Sequence, residues 1–140
     1  MQVKVEFDVD RPYGQAGLIV FYDNDRYAKY VLEYWYNLGT HVIFLREDNG
    51  VPCHCKGTCE KDIFIGKTSV ELKMVYDSGK FITSYRLQGE QEWTPHFQVD
   101  AIENKGNVNV GLFSQADSGS KDWALFDDFR LSVPRDAASP

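Results

Sequence analysis

The sequence predicts an all-β domain built as an antiparallel β-sandwich or barrel. Roughly ten stretches alternate apolar with polar residues, which is the pattern of a strand with one buried face. Turn residues separate these stretches about every eight to twelve positions, and no capped helical pattern persists. The chain also contains eight Tyr, nine Phe and three Trp, residue types that pack well on a pleated sheet.

The first half of the chain predicts four strands. Residues 3–9 alternate apolar and charged side chains, which indicates a half-buried strand. Residues 16–22 are apolar on both faces, which suits a central strand. Residues 27–36 form the most aromatic of the predicted strands, and residues 41–46 form the fourth.

A β-hairpin dominates the second half of the chain. Residues 70–76 and 81–87 both alternate, and residues 77–79 between them supply turn chemistry. Short strands are expected at residues 62–66, 97–101 and 108–112, and a last strand at residues 123–133.

The pattern fits a single domain. Residues 1–133 are expected to form it, because a chain of 140 residues lies within the usual range for one domain and can bury a core. Residues 134–140 begin with a proline that ends the last strand, and they are expected to form a flexible tail.

Four segments in order carry a family resemblance. They are AGLIVFYDNDRYAKYVLEY at residues 16–34, VELKMVYDSGKFITSYRLQGEQEWTP at 70–95, VGLFSQ at 110–115 and FDDFRL at 126–131. In this order they resemble the concanavalin A-like sandwich at the C-terminus of β-xylosidases, and a related family of small bacterial domains. The resemblance implies a jelly-roll sandwich of the lectin/glucanase type, with a role in carbohydrate recognition beside a catalytic domain.

The chain also departs from that family. Its relatives carry further strands before the position of Met1, and residues 51–60 have no counterpart in them. The missing strands would leave an exposed sheet edge. A second copy of the chain or a neighbouring domain could cover that edge, so a homodimer is one expected assembly.

Charge and hydropathy exclude two classes of partner. The formal net charge is -6 and the isoelectric point is about 5.0, whereas nucleic-acid binders usually carry a basic patch. No apolar stretch reaches the length of about 18 residues that a transmembrane helix needs, and the N-terminus resembles a strand rather than a signal peptide. We therefore expect no nucleic-acid or membrane partner. The localisation stays open, and is extracellular or periplasmic if the chain is a module of a secreted enzyme.

Aromatic and polar residues, most of them around the second and third strands, predict a carbohydrate site. Pyranose rings stack on Tyr and Trp, while carboxylates, amides and guanidinium groups bond the hydroxyls. The predicted ligand-binding residues are Tyr22, Asp23, Asn24, Tyr27, Tyr34, Trp35, Tyr36 and Arg86. The alternative for each ring is packing in the core. The expected ligand is a plant-type polysaccharide, xylan or a β-glucan.

The acidic residues do not predict catalysis. Retaining glycosidases project two carboxylates into one cleft, but Glu33, Glu47, Glu71 and Glu92 are isolated in the sequence. The chain is therefore expected to be a non-catalytic, lectin-like accessory module. Two alternatives remain open: an interaction domain without a sugar site, and a small glycoside hydrolase.

Asp127 and Asp128 in the last predicted strand are candidate calcium ligands. Alternation with Trp123 and Leu125 places Asp127 on the apolar face, where an ionised carboxylate needs a cation or several hydrogen-bond donors. Sandwich modules similar to this one often hold a structural calcium with an aspartate of the last strand. The alternative is that Asp127 lies near the sandwich rim or accepts backbone hydrogen bonds.

Cys53, His54, Cys55 and Cys59 form a second cluster. Three thiolates and an imidazole could hold zinc, but adjacent ligands are hard to place around one metal and the sequence has no second, distant ligand pair, which argues against zinc. The other two interpretations are a disulfide in a surface loop, such as Cys53–Cys59 or Cys55–Cys59 with one thiol left over, and free thiols.

Overall fold

The computed structural model describes residues 1–9, 11–36, 38–53, 63–64, 69–103, 106–117, 119 and 121–133. Within these ranges the chain forms strands and turns, and no helix there is long and apolar enough to cross a membrane. The strands are β1 Gln2–Asp8, β2 Gln15–Asp23, β3 Arg26–Trp35, β4 Gly39–Asp48, β5 Val51–Cys53, β6 Ile63–Phe64, β7 Ser69–Asp77, β8 Lys80–Leu87, β9 Thr94–Asp100, β10 Asn109–Gln115 and β11 Trp123–Arg130.

Two antiparallel sheets form a sandwich. Sheet A has the strand order β11-β1-β7-β8-β9, and sheet B has the order β10-β2-β3-β4-β5, with β6 also pairing with β4. The predicted hairpin is the β7–β8 pair, in which Val70 lies opposite Leu87 and Asp77 lies opposite Lys80. The predicted antiparallel β-sandwich is therefore confirmed.

The core lies between the sheets because one face of most strands is apolar. In β1, for example, Val3, Val5 and Phe7 are buried while the residues between them are partly exposed. The buried cluster consists of Val3, Val5, Phe7, Ala16, Leu18, Val20, Ala28, Tyr30, Leu32, Val42, Phe44, Val70, Leu72, Met74, Phe81 and Phe97. Tyr30 is fully buried, and its hydroxyl forms a 3.0 Å hydrogen bond with Nδ1 of His96. This bond removes the cost of an unsatisfied polar group in the core.

Gly17 in β2 lies close against the backbone of β3. A Cβ atom at this position would lie 2.4 Å from the carbonyl oxygen of Tyr30 and 2.7 Å from Cα of Val31. Both atoms belong to the backbone, so neither can move aside as the end of a side chain can. Only glycine fits here without displacing β3.

The predicted orientation of the last strand is wrong. Ala124 and Phe126 pack against the core, whereas Trp123 and Leu125 are 48% and 56% exposed. The cause is the register with β1, in which Ala124 and Phe126 lie opposite the buried residues Phe7 and Val5. Asp127 therefore does not lie on the buried face, and it is exposed.

Some predictions fall outside the described residues. The tail at residues 134–140 is one of them, and the cluster at residues 53–59 is another, except for the backbone of Cys53 in β5. The zinc, disulfide and free-thiol interpretations of that cluster therefore all stay predictions.

Candidate functional site

The outer face of sheet B is the candidate site. It is the face that points away from the core, and strand alternation fixes its members from their buried neighbours. Across β10, β2, β3 and β4 the register places these side chains on it: Phe113, Gln15, Ile19, Phe21, Tyr27, Lys29, Val31, Glu33, Trp35, His41, Ile43, Leu45 and Glu47.

A network of polar side chains crosses this face. The Lys29 ammonium donates a 2.8 Å hydrogen bond to Oε1 of Gln15. The Gln15 amide donates a 3.1 Å hydrogen bond to Oε2 of Glu33. At the other end of β3, the Tyr27 hydroxyl donates a 2.6 Å hydrogen bond to Oε2 of Glu47. These contacts fix the orientation of side chains on three neighbouring strands.

Aromatic rings flank the network. Nζ of Lys29 lies 4.6 Å from the ring centroid of Phe113 and 5.6 Å from that of Tyr27, which is within the range of a cation–π contact. At the far end of β3, Trp35 stacks on His41 with centroids 4.1 Å apart and planes 19° apart. The face thus combines aromatic surface with fixed hydrogen-bonding groups.

Burial changes the proton affinities on this face. Lys29 is only 6% exposed, and burial lowers the pKa of its ammonium against the opposing influence of Glu33 and Glu47. The pKa of Tyr27 rises to about 12, first because of desolvation and then because its hydroxyl bonds Glu47. The hydroxyl of Tyr27 therefore stays protonated at neutral pH and remains a hydrogen-bond donor.

The accessible part of the face is the end around Tyr27, which we call the Tyr27 platform. The centre is closed, because Val31, Glu33 and Ile43 are buried. At the Tyr27 platform, by contrast, the ring of Tyr27 and its cross-strand neighbours Phe21 and Glu47 are partly exposed, as is Leu45 beside them. The platform offers a ring for stacking and a carboxylate for sugar hydroxyls.

Two more of the sequence-predicted residues lie next to this platform. Asp23 ends β2, and Asn24 lies exposed in the turn before β3. Arg26 donates to Oδ2 of Asp23 from Nε at 2.9 Å and from Nη2 at 2.8 Å, and the backbone N–H of Asp25 donates to Oδ1. The turn is thus held rigid by its own charges, and it carries polar groups at the edge of the Tyr27 platform.

The other predicted tyrosines do not join this group. Tyr22 packs against the core cluster. Tyr34 is half-buried near the end of β3, where its backbone bonds Tyr13 and Gly14. Tyr36 follows β3 in the next turn and is 67% exposed. Trp35 lies on the outer face, but at the opposite end of β3 from Tyr27.

Arg86 lies on sheet A, away from the Tyr27 platform. Its guanidinium donates to both carboxylate oxygens of Glu71, at 2.7 Å from Nε and 2.9 Å from Nη2. It also lies 4.6 Å from the ring centroid of Trp93, a ring that Lys73 contacts as well at 4.2 Å. These contacts give Arg86 an evident structural role.

Several residues of the face were missed by sequence reasoning. Lys29 and Glu33 lie two and six residues after Tyr27 in β3, so the period-2 pattern could have placed them on the same face as Tyr27. Gln15 and Glu47 lie on neighbouring strands. Finding them requires the strand register, which the sequence alone does not supply.

Asp127 and Asp128 lie at the exposed edge of sheet A, where Asp128 begins a bulge: Asp127 pairs with Lys4 and Arg130 with Gln2, so that Asp128 and Phe129 both lie opposite Val3. The backbone N–H of Asp128 donates a 2.8 Å hydrogen bond to Oδ1 of Asp127, and Asp128 has a positive φ of 52°. Arg130 donates to both carboxylate oxygens of Asp128 at 2.8 Å. Among the described residues no group of three or more His, Cys, Asp and Glu side chains could hold a metal ion. Calcium binding by this pair stays a prediction.

A second concavity opens between the two sheets beside β10. It has a volume of about 590 Å³ and is lined by apolar residues such as Val20, Ile102 and Val110, with Tyr22 and Tyr76. An adjoining concavity of about 410 Å³ shares Val20, Tyr76 and Val110 with it. The groups on its walls that could bond a sugar are the carboxylate of Glu103 and the hydroxyls of Tyr22 and Tyr76.

Comparisons with known proteins agree with this fold. The model of the β-xylosidase C-terminal concanavalin A-like domain matches residues 1–132. No curated protein matches the sequence.

Solved structures share the fold at low sequence identity. The GH43 protein BlXynB from Bacillus licheniformis superposes with a TM-score of 0.73 and 20% identity, covering 89% of this chain and 25% of its own. A xylan β-1,4-xylosidase from Bacillus halodurans superposes with a TM-score of 0.70 and 20% sequence identity, covering 89% of this chain and 26% of its own. A functionally unknown protein from Saccharomyces cerevisiae superposes with a TM-score of 0.74 and 16% sequence identity, covering 96% of this chain and 68% of its own. This chain thus spans about a quarter of the two Bacillus chains.

Proposed function

The chain belongs to the family of β-xylosidase C-terminal concanavalin A-like domains, and we propose that it is a non-catalytic accessory module that binds xylan or a β-glucan at the Tyr27 platform. The ligand stacks on the ring of Tyr27 and bonds Glu47, with Asp23 and Asn24 at the margin of the contact.

The observation that carries this proposal is the pairing of Tyr27 with Glu47. The 2.6 Å hydrogen bond holds the ring at a fixed angle, so little side-chain entropy is lost when a sugar stacks on it. The second oxygen of the Glu47 carboxylate can accept from a sugar hydroxyl. Lys29 beneath the ring adds a positive charge that favours this carboxylate.

The arrangement of carboxylates supports a role in binding rather than hydrolysis. Glu47 lies opposite Tyr27, and Glu33 is six residues further along β3, which separates the two by about 20 Å at the rise of a strand. Glycosidases need their two carboxyl groups within about 10 Å of one another. Glu33 is also buried, so it is poorly placed for a substrate. Asp23 lies at the margin of the platform, but its hydrogen bonds from Arg26 lower the pKa of its carboxyl, so it is unsuited to carry the proton that a general acid must supply.

An interaction domain without a sugar site is the second candidate function. The apolar concavity beside β10 favours it, because large exposed apolar surfaces commonly mark contacts with other proteins. The two functions use different faces of the sandwich and can be tested separately.

Affinity electrophoresis against soluble xylan and β-glucan tests the proposal. The native protein should be retarded, and Tyr27→Ala should abolish the retardation. Tyr36→Ala is the matched control, because Tyr36 is an exposed tyrosine beyond the other end of β3 and should bind normally. Equal retardation of native protein and Tyr27→Ala, or no retardation by any glycan, would overturn the proposal.

A further inference from the structure

The described sheet edges differ in how they are protected against pairing with another chain. Edge strands usually carry prolines, charges or bulges that prevent such pairing. In sheet B, β5 contains Pro52, and in sheet A, β9 contains Pro95. The third edge, β11, contains the bulge at Asp128 and Phe129. The fourth edge, β10, has the sequence NVGLFSQ and carries none of these features.

An exposed apolar surface, which we call the seam, lies beside this unprotected edge. Val110 and Leu112 of β10 lie opposite the core residues Val20 and Leu18, so they face inwards, yet they are 40% and 43% exposed. No other described strand covers them. The seam consists of Tyr76, Val108, Val110, Leu112, Leu131 and Val133.

We infer that the seam is the interface of a homodimer in which β10 pairs antiparallel with β10 of a second copy. Such a pairing joins the two B sheets into one continuous sheet and satisfies the free backbone groups of both edges. It also places Val110 and Leu112 of one copy beside the same residues of the other. A two-fold interface of this kind uses the same patch on both copies.

Charge and area both favour a second copy as the occupant. The chain carries a net charge of -6, so two copies repel each other over most of their surface. β10 contains no charged side chain, and Glu103 is the one charged side chain on the described walls of the two concavities that the seam borders, so this patch lets two copies meet with few like charges close together. The six seam residues are 40% to 77% exposed, which amounts to roughly 500 Å² in each copy, so two copies would bury about 1,000 Å², the lower limit for a biological interface and the range of weak dimers.

Sedimentation velocity over a wide range of protein concentration tests the inference. The native protein should shift from monomer to dimer mass as its concentration rises. Val110→Lys should raise the dissociation constant at least tenfold, because a charge would be buried between the copies. Val51→Lys is the matched control, since Val51 is an exposed valine on β5, the opposite edge of sheet B. It should dimerise like the native protein.

Amide hydrogen exchange supplies a readout that does not depend on the variants. Exchange at residues 110–114 should slow as the protein concentration rises, while exchange in β5 should not change. The inference would be overturned if the native protein stayed monomeric near 1 mM. It would also be overturned if Val110→Lys and Val51→Lys changed the dissociation constant of the dimer equally. Higher salt should strengthen the dimer, because salt screens the repulsion between the copies.

Discussion

Tyr27 and Glu47 are joined across β3 and β4 by a 2.6 Å hydrogen bond in which the hydroxyl donates. Tyr27→Phe removes only this bond, so it should lower the free energy of unfolding by about 1 kcal/mol near neutral pH. Urea unfolding of the two proteins measures the difference. Since the phenylalanine ring keeps the stacking surface, glycan binding should fall less than in Tyr27→Ala.

The same pair should make stability depend on alkaline pH. The pKa of Tyr27 is raised from 10.0 to about 12 in the folded protein, so above pH 10 the unfolded chain releases this proton first. The difference in free energy of unfolding between the native protein and Tyr27→Phe should therefore be fully present below pH 10 and disappear as the pH rises towards 12. A difference that stays constant from pH 8 to 11.5 would contradict this assignment.

Gly17→Ala should destabilise the sandwich strongly. The added methyl would lie 2.4 Å from a backbone oxygen of β3, so the two central strands of sheet B must separate, at a cost of about 3 kcal/mol. Gly111→Ala on the neighbouring β10 is the control, because a Cβ there meets nothing within 4 Å. Thermal unfolding should place the control near the native protein, and similar losses in both variants would refute the steric explanation.

Arg86→Ala should weaken the fold without weakening glycan binding. Its guanidinium bonds both oxygens of Glu71 and contacts Trp93 on sheet A, away from the Tyr27 platform. We expect a clear fall in melting temperature, larger than for Lys80→Ala, whose ion pair with Asp100 is far more exposed. If Arg86→Ala is no longer retarded by xylan at a temperature where the variant is folded, Arg86 belongs to the binding site after all.

Calcium binding at Asp127 and Asp128 is open to a direct test. Arg130 already neutralises Asp128, so a cation must compete with the guanidinium and should bind only weakly. Arg130→Ala should therefore increase the rise in melting temperature that added calcium causes, and Asp127→Asn should abolish it. If added calcium raised the melting temperature of Asp127→Asn as much as that of the native protein, Asp127 and Asp128 would be excluded as the calcium ligands.

The sequence predicts most of the fold because alternation and turn chemistry are local signals. The β7–β8 hairpin and the buried face of β1 follow from them directly. The orientation of β11 was mispredicted because its larger apolar residues, Trp123 and Leu125, point outwards. Its pairing with β1 sets which face is buried, and that pairing joins residues far apart in the chain. The short strand β5 was not predicted, since Pro52 favours a break in the pattern.

The candidate site was predicted only in part, for a similar reason. Tyr27, Asp23 and Asn24 are neighbours in sequence, so aromatic content and turn chemistry find them together. Their partner Glu47 lies on β4 and is identified only by the register that places it opposite Tyr27. Arg86 was grouped with them by residue type alone, and the fold places it on the other sheet.

Nuclear magnetic resonance can map a bound oligosaccharide onto the sheet and so tests the sugar site directly. Xylohexaose or a β-glucan oligosaccharide is titrated into 15N-labelled protein, and the shifts of the assigned backbone amides are followed. With a sugar bound at the Tyr27 platform, the largest shifts should fall on Phe21, Tyr27, Leu45 and Glu47. Shifts concentrated at residues 108–112 instead, or none at millimolar ligand, would contradict a sugar site on the Tyr27 platform.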